Sequence, residues 1–319
     1  MGLARHKLGG NNMKNSNNQT NILLESGTNE IEIMEFTING NLYGINVAKV
    51  REIIMSDKVK PMPHSHPAVE GIFKPRDILL TVVDLPMYLT GEPSAKDGKD
   101  LFIITNFNNL HIAFRVHTVE GIQRISWEDI QKPDKTVTGG EDGVATGIAQ
   151  CKKDLVTILD FEKIVAEIAP ETGIQLSEIE RMGIRERNES PIILAEDSIL
   201  LSRMIREALT KAGYTNIKKF DNGQEAWNYL SGLPEEEIEQ KVSIVITDIE
   251  MPKMDGHRLT KLIKGDEVLK KIPVVIFSSL INVEMERKGK EVGADEQLSK
   301  PEIGHLVEVI DHLLLRRKK

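Results

Sequence analysis

The sequence predicts two domains of different fold class: an all-β double barrel, followed by an α/β domain with a doubly wound, five-stranded parallel sheet. Its 319 residues are enough for about two domains of roughly 100–200 residues each. Before Pro191, short β-type runs are separated by hairpin signals, which is typical of small barrels. After Pro191, short β-branched runs alternate with apolar residues at helical spacing, which favours a parallel sheet covered by helices.

We divide the chain into four segments on composition. Residues 1–29 are rich in Asn and poor in periodic apolar positions, so a flexible N-terminal tail is expected. The all-β domain is assigned to residues 30–170. The polar segment 171–190 is predicted to be a linker with a short helix, and the α/β domain occupies 191–319.

The first domain opens with a hairpin. Met34, Phe36 and Ile38 alternate before Asn39-Gly40, a pair that favours a two-residue turn. Residues 42–47 are expected to return as the partner strand, and residues 47–53 to form a short helix. The later elements are predicted as strands at 78–83, 101–104, 110–116, 144–148 and 155–159, a hairpin turn at Asn108-Asn109, and a helix at 161–168.

The second domain alternates strands and helices five times. Leu201, Met204, Ile205, Ala208 and Leu209 share one helical face, and Gly213 follows as a stop signal. Strands are predicted at 192–195, 217–220, 242–247, 273–277 and 296–299, and the other helices at 224–230, 256–264, 283–292 and 303–314.

Composition excludes several classes of protein. The net charge is −8 and both halves are acidic, which argues against a domain that binds duplex nucleic acid through phosphate contacts. Cys151 is the single cysteine, so an internal disulfide and a Cys-based zinc cluster are excluded, and a packed core role is expected. The N-terminus lacks a signal-peptide core and no stretch approaches a membrane span, so a cytoplasmic protein is expected.

Polar side chains follow four strands of the second domain, namely Glu196 and Asp197, then Asp248, Ser278 and Lys300. In a doubly wound sheet these strand ends converge on one crevice. Three carboxylates there repel one another, so they need either raised pKa values or a cation, and a hard divalent ion such as Mg²⁺ fits oxygen ligands of this kind. Beside a metal and Lys300, Asp248 is a candidate nucleophile toward phosphorus. Ser278 would donate a hydrogen bond to a phosphoryl oxygen.

These residues, with Met251–Gly256 and Lys300-Pro301, resemble the response-regulator receiver domain from Pro191 to about Arg317. The resemblance implies a flavodoxin-like fold in which Asp248 is the phosphoacceptor. It also implies Asp197 as a direct Mg²⁺ ligand, Glu196 as a ligand through water, and the backbone carbonyl of Glu250 as a further ligand. Ser278 and Lys300 would move toward the phosphoryl group. The family usually carries an aromatic switch residue at the position of Gln297.

The first domain resembles a CheW-type coupling domain over residues 30–170. Residues 36–53 are similar to its opening and residues 71–85 to its central motif, although Lys74-Pro75 replaces the usual Asn-Leu and Asp77 replaces Gly. The resemblance implies chemoreceptor signalling tips and a chemotaxis histidine kinase as partners. Arg76 and Asp84, which border the strand at 78–83, are candidate partner-binding residues.

Together the two resemblances imply a cytoplasmic signalling adaptor at membrane-associated chemoreceptor arrays, which accepts a phosphoryl group from a phosphohistidine and is not a metabolic enzyme. A passive phosphate sink, whose phosphorylation leaves coupling unchanged, stays open as an alternative. A transcriptional response regulator is disfavoured because no helix-turn-helix or basic domain follows the fifth helix. A phosphohydrolase of the haloacid-dehalogenase type would place Asp-x-Asp after the first strand, whereas Asp248 follows the third.

Overall fold

The computed structural model describes residues 29–96, 98–107, 110–132 and 143–317. Three five-stranded sheets organise these residues, two in the N-terminal half and one in the C-terminal half. The predicted tail, except Asn29, and the predicted turn at Asn108-Asn109 lie outside the described residues.

Ten strands form the two N-terminal sheets. They are β1 Glu30–Ile38, β2 Asn41–Asn46, β3 Val50–Met55, β4 Val69–Phe73, β5 Leu80–Asp84, β6 Leu101–Phe107, β7 Leu110–Val116, β8 Thr118–Ser126, β9 Ala145–Cys151 and β10 Asp154–Leu159. One sheet has the order β8-β1-β2-β10-β9 and the other the order β3-β6-β7-β5-β4. The all-β prediction for this half is confirmed.

The first hairpin forms as predicted. Asn39 and Gly40 have φ values of 50° and 78°, which a two-residue turn with the strand-matching twist requires. Strands β1 and β2 pair antiparallel from Ile38 opposite Asn41 to Ile33 opposite Asn46.

The helix predicted at 47–53 is wrong. Only Val47–Lys49 turns, as a short 3₁₀ helix, and the chain then continues as β3. β3 pairs antiparallel with β6, about fifty residues further along the chain. This long-range pairing, together with β-branched residues that suit a strand, outweighs the local helical spacing.

Helix α2 (Phe161–Ile168) closes the core between the two sheets, after the short helix α1 (Leu85–Thr90). Phe161 packs edge-on against Phe114 with ring centroids 4.8 Å apart, and Ile164 is fully buried in the same cluster. Burial of this apolar face fixes the position of the N-terminus of α2, where Glu162 contacts Lys300 in the second half of the chain. Cys151 is buried among Ile31, Ile33 and neighbouring apolar residues, as predicted for a packed cysteine.

The C-terminal half is a doubly wound parallel sheet, as predicted. Its strands are β11 Ile192–Ala195, β12 Ile217–Phe220, β13 Ile244–Thr247, β14 Val274–Ser278 and β15 Glu296–Ser299. Their order β12-β11-β13-β14-β15 is the flavodoxin-like order, with the switch of winding direction at β11 and β13. Its helices are α4 Ile199–Lys211, α5 Gly223–Ser231, α6 Ile238–Lys241, α7 Gly256–Gly265, α8 Val283–Glu291 and α9 Ile303–Arg317.

The predicted linker contains helix α3 (Leu176–Arg181). Ile179 is buried in the core of the C-terminal half, and Glu178 accepts a hydrogen bond from the backbone of Gly304 at 2.9 Å. This part of the linker is therefore packed on the sheet domain. None of the helices within the described ranges is long and apolar enough to cross a bilayer.

Candidate functional site

An acidic cluster lies at the carboxyl ends of β11 and β13. Glu196 and Asp197 follow β11, and Asp248 follows β13. The backbone N–H of Asp248 donates to the carbonyl of Ala195 at 3.0 Å. One oxygen from each of the three carboxylates lies within 4.8 Å of the others. Because oxygen ligands at this spacing suit a hard divalent cation, the residues fit Mg²⁺.

Lys300 lies at the centre of this cluster, at the end of β15. Its Nζ is 2.8 Å from Glu196 and 3.1 Å from Asp248, and the lysine is 2% exposed. Burial alone lowers the pKa of a lysine, but Asp248, Glu196 and Glu162 hold the pKa of Lys300 well above its usual value. The ammonium group is therefore a fixed positive charge beside Asp248.

The carboxylates respond to burial in the opposite way. Burial and repulsion from Asp248 raise the pKa of Glu196 to about 8, although Lys300 opposes the shift. Burial, with the charges of Glu196 and Asp248, also raises the pKa of Asp197 well above its ordinary range. The pocket thus gathers more carboxyl groups than Lys300 can keep ionised, and a bound cation would favour their charged forms.

Ser278 ends β14 and is fully buried in the same crevice, where its hydroxyl accepts from the backbone of Leu280 at 3.3 Å. Gln297, one strand further on, donates to the carbonyl of Glu286 in α8 at 2.8 Å. The amide of Gln297 therefore links β15 to a neighbouring helix.

The structure brings Glu196, Asp197, Asp248, Ser278 and Lys300 together, as the sequence pattern indicated. The side chain of Glu250 leaves the acidic cluster. It accepts from Asn46 Nδ2 at 2.7 Å and pairs with Lys49 Nζ at 2.6 Å, both in the N-terminal domain. The predicted role of Glu250 as a ligand concerned its backbone carbonyl and stays a prediction.

The N-terminal domain reaches the acidic pocket through Glu162, at the start of α2. One Glu162 oxygen lies 3.2 Å from Lys49 Nζ and the other lies 3.7 Å from Lys300 Nζ. Burial opposes ionisation, yet Lys300 and Lys49 lower the pKa of Glu162 to about 2, and Ser279 lies beside it. Glu162 is thus a buried anion shared by lysines of both domains.

A second line of contacts fixes the loop that follows Asp248. Lys253 N donates to the carbonyl of Trp127 at 2.9 Å, and Asp255 N donates to Asn29 Oδ1 at 2.9 Å. Asn29 in turn donates to the carbonyl of Lys253 at 2.8 Å. Ala48 adds an apolar contact with the cluster formed by Ile249, Ile276, Leu280 and Met285.

The two domains enclose a small cavity over Asp248. Its volume is about 30 Å³, and residues of both domains line it, including Asp160, Glu162, Asp197 and Asp248. Such a volume holds one or two water molecules or a metal ion.

Neither Asn46, Lys49 nor Glu162 was identified from the sequence. Asn46 caps a 3₁₀ turn and Glu162 lies in the first turn of a helix. Each position is explained by this local role, so the sequence does not indicate a contact with the other domain. The one available signal was the pair Asp160 and Glu162, two acids at the start of a helix that directly follows a strand.

The two candidate partner-binding residues differ in exposure. Asp84 is buried and accepts from the backbone N–H groups of Met87 and Ser94, so it caps α1. Arg76 is 78% exposed in its side chain, with Glu52 at 3.6 Å. Of the two, only Arg76 presents its charge to solvent.

Comparison with known proteins assigns each half separately. Residues 32–169 match the family of the CheW-like domain, and residues 192–311 match the response regulator receiver domain. Chemotaxis protein CheW of Treponema pallidum is 24% identical over 139 residues, which cover 42% of this chain and 82% of that protein.

Three chemotaxis proteins of Helicobacter pylori match both halves at once, CheV3 and CheV2 among them. Chemotaxis protein CheV3 of Helicobacter pylori is 29% identical over 300 residues, covering 89% of this chain and 95% of that protein. Chemotaxis protein CheV2 of the same organism is 28% identical over 307 residues, covering 90% of this chain and 95% of that protein. The order of the two domains is therefore shared along almost the whole length.

Proposed function

Since the chain belongs to the CheV-type proteins of chemotaxis signalling, in which a CheW-like domain is fused to a receiver domain, we propose that it is a phosphorylation-controlled adaptor. The CheW-like domain couples chemoreceptor signalling tips to the chemotaxis histidine kinase. The receiver accepts a phosphoryl group on Asp248, and this phosphorylation changes the coupling. The protein acts at membrane-associated receptor arrays.

The observation that carries the proposal is the position of Asp248. Its carboxylate lies 3.1 Å from Lys300 Nζ and within 4.8 Å of the oxygens of Glu196 and Asp197. An acid so placed has a cation on one side and a candidate metal site on the other, and both favour attack on an anionic phosphoryl group.

The chemistry follows from these neighbours. A carboxylate oxygen of Asp248 forms a bond to phosphorus while the phosphorus–nitrogen bond of a phosphohistidine breaks, and the imidazole keeps the electron pair of that bond. Lys300 stabilises negative charge on the phosphoryl oxygens, and Ser278 supplies a hydroxyl donor. The receiver promotes its own modification and needs no further catalytic group from this chain.

Glu196, Asp197 and Asp248 would hold Mg²⁺, with the backbone carbonyl of Glu250 as a further ligand. When bound, the ion offsets the charge of the acidic residues and of the phosphoryl oxygens. Chelation with EDTA is therefore expected to abolish phosphorylation.

Labelling of the whole chain tests the phosphoacceptor. Incubation with Mg²⁺ and acetyl phosphate is expected to add one hydroxylamine-labile phosphoryl group, which Asp248→Asn removes. Asp154→Asn, at an exposed position of the CheW-like domain, is the matched control and is expected to label normally. Full labelling of Asp248→Asn would assign the reaction to another residue.

Kinase activity separates an active adaptor from a passive phosphate sink. Receptor, kinase and this chain are combined in reconstituted arrays, with either wild type or Asp248→Asn. A difference in the rate of kinase autophosphorylation supports control of coupling, whereas equal rates in the two arrays would favour the sink.

Partner binding is tested at Arg76. The charge reversal Arg76→Glu is expected to weaken co-sedimentation with receptor tips or kinase, because the guanidinium is exposed on the domain proposed to bind them. Arg124→Glu is the control, as Arg124 is a partly exposed arginine on β8, in the other sheet. Equal binding by both variants would remove Arg76 from the proposed interface.

A further inference from the structure

The surface of the CheW-like domain that covers the acidic pocket carries buried charged residues that pair with the receiver. Lys49 and Glu162 are both less than a tenth exposed, although each carries a charge and neither belongs to a hydrophobic core. Burying charges is costly unless they are paired across the contact. Here Lys49 pairs with Glu250 at 2.6 Å, and Glu162 lies 3.7 Å from Lys300.

We propose that the CheW-like domain is an internal docking partner of the receiver, and that Glu162 holds the docked state by competing with the phosphoryl group for Lys300. The docking surface consists of Asn29, Asn46, Lys49, Trp127 and Glu162. Docking closes the pocket, and phosphorylation of Asp248 opens it. Opening by phosphorylation rests on the proposed function of Asp248, whereas closure by docking does not.

The size of the cavity supports the closing step. About 30 Å³ over Asp248 admits one or two waters, whereas a phosphohistidine must bring an imidazole ring and a phosphoryl group to the carboxylate. A donor therefore reaches Asp248 only after the domains separate. The docked chain is protected from the kinase, and the undocked chain is its substrate.

The balance of charge supports the opening step. The contact gathers six carboxylates, those of Asp160, Glu162, Glu196, Asp197, Asp248 and Glu250, around Lys49 and Lys300. Phosphorylation replaces the single negative charge of the Asp248 carboxylate with a phosphoryl group that carries about −1.5 to −2 charge and three acceptor oxygens beside Lys300. Glu162 then faces an anion instead of sharing a lysine, and the contact is weakened.

Two backbone amides report docking directly. The N–H groups of Lys253 and Asp255 donate to Trp127 and Asn29 across the contact, whereas the N–H of Gly256 donates to Ile249 within the receiver. Hydrogen exchange at Lys253 and Asp255 therefore measures separation of the domains, and exchange at Gly256 measures the integrity of the receiver loop.

The test uses the full chain and charge reversal at the Lys49–Glu250 pair. Lys49→Glu and Glu250→Lys are each expected to speed exchange at Lys253 and Asp255 about tenfold or more, because each places like charges together in a buried contact. The double variant restores an opposite pair and is expected to return exchange to within about threefold of wild type. Lys211→Glu reverses an exposed pair with Glu180 and is the control.

Unchanged exchange in both single variants would overturn the docking proposal. Faster exchange that the double variant fails to restore would remove the Lys49–Glu250 pair as its basis. These measurements need no phosphoryl donor, so they are independent of whether Asp248 is the phosphoacceptor.

A second measurement tests release. Wild type treated with Mg²⁺ and acetyl phosphate is expected to show faster exchange at Lys253 and Asp255 than untreated protein, with Asp248→Asn unchanged by the same treatment. If phosphorylated wild type keeps both amides protected, the proposal that phosphorylation separates the domains is wrong. Absence of any labelling would instead contradict the proposed function and leave the docking result standing.

Discussion

Gly256 passes so close to Asp248 that a Cβ atom added to Gly256 would lie 1.9 Å from the carbonyl oxygen of Asp248. Helix α7 therefore begins directly beneath the proposed phosphoacceptor, and a glycine is the residue that allows this approach. The backbone of Asp248 cannot move away without disturbing Ile249, whose N–H donates to its carboxylate at 2.7 Å.

Gly256→Ala is expected to displace the loop that holds Asp248. Overpacking at this point should lower the free energy of unfolding by about 1 to 3 kcal/mol and slow phosphorylation by about tenfold or more. Gly265→Ala is the matched control at the other end of α7, where an added Cβ meets no atom within 4 Å. Urea unfolding and acetyl phosphate labelling measure the two effects. Equal behaviour of the two variants would show that the close approach at Gly256 is tolerated.

Lys300→Met is expected to leave Asp248, Glu196 and Glu162 without their shared cation. Removing one member of a buried ionic group costs about 3 to 5 kcal/mol, so unfolding in EDTA should occur at a much lower urea concentration. Mg²⁺ should recover part of the loss because it offsets the same carboxylates.

The control for Lys300 is Lys211→Met, which removes an ion pair between two exposed side chains, a kind of pair that contributes little to stability. A Lys300→Met protein as stable as this control, in EDTA and in Mg²⁺, would mean that protonation of the acids replaces the lysine without cost.

His257 is expected to make stability depend on pH. It is buried in the first turn of α7, and burial, with Lys288 nearby, lowers its pKa to about 4. The unfolded chain takes up a proton below about pH 6.5, whereas the folded chain does so only near pH 4. Between these values the unfolded state binds more protons, so this contribution to stability falls as the pH falls.

The comparison of wild type with His257→Gln isolates that contribution. From pH 7 to pH 5 the wild type should lose about 2 kcal/mol relative to the variant in urea unfolding. His305→Gln, on an exposed face of α9, controls for the loss of a histidine as such. Parallel curves for wild type and His257→Gln across this interval would contradict the lowered pKa.

Arg115 is expected to stabilise the CheW-like domain alone. It is 3% exposed on β7, where its Nε lies 2.8 Å from Glu70 and its Nη1 lies 3.2 Å from Asp100. Arg115→Met would leave these acids without their buried partner, at a cost of about 3 to 5 kcal/mol.

Hydrogen exchange should locate the Arg115 effect in β5, β6 and β7 and leave the receiver strands unchanged. Arg124→Met is the control, since its contacts with Glu30 and Glu32 are 3.8 and 3.7 Å long at the surface. A loss of protection that spreads equally over the receiver strands would indicate that the two domains unfold as one unit.

Local patterns were sufficient for the receiver. Its three central strands, β11, β13 and β14, are short apolar runs buried on both faces, and the polar residues that end the strands must meet because parallel strands share an edge. The acidic cluster with Lys300 was predictable for this reason.

Local patterns failed where contacts are distant in sequence. Residues 50–55 form a strand because they pair with β6, and no residue near them in the sequence indicates this pairing. The same holds for the contact between Lys49 and Glu250, which depends on how two separately folded domains meet. Surface charges of this kind have many possible partners, and only the docked arrangement selects one.

The hydrogen bond from Lys253 to Trp127 joins two parts of one polypeptide, so its formation does not depend on how many copies of the protein the cell contains. Tethered groups of this kind meet at effective concentrations on the order of millimolar. A competitor for the same surface must therefore be locally abundant or bind much more tightly. Changes in expression level would alter the number of molecules but leave unchanged the fraction of them in which the two domains are docked.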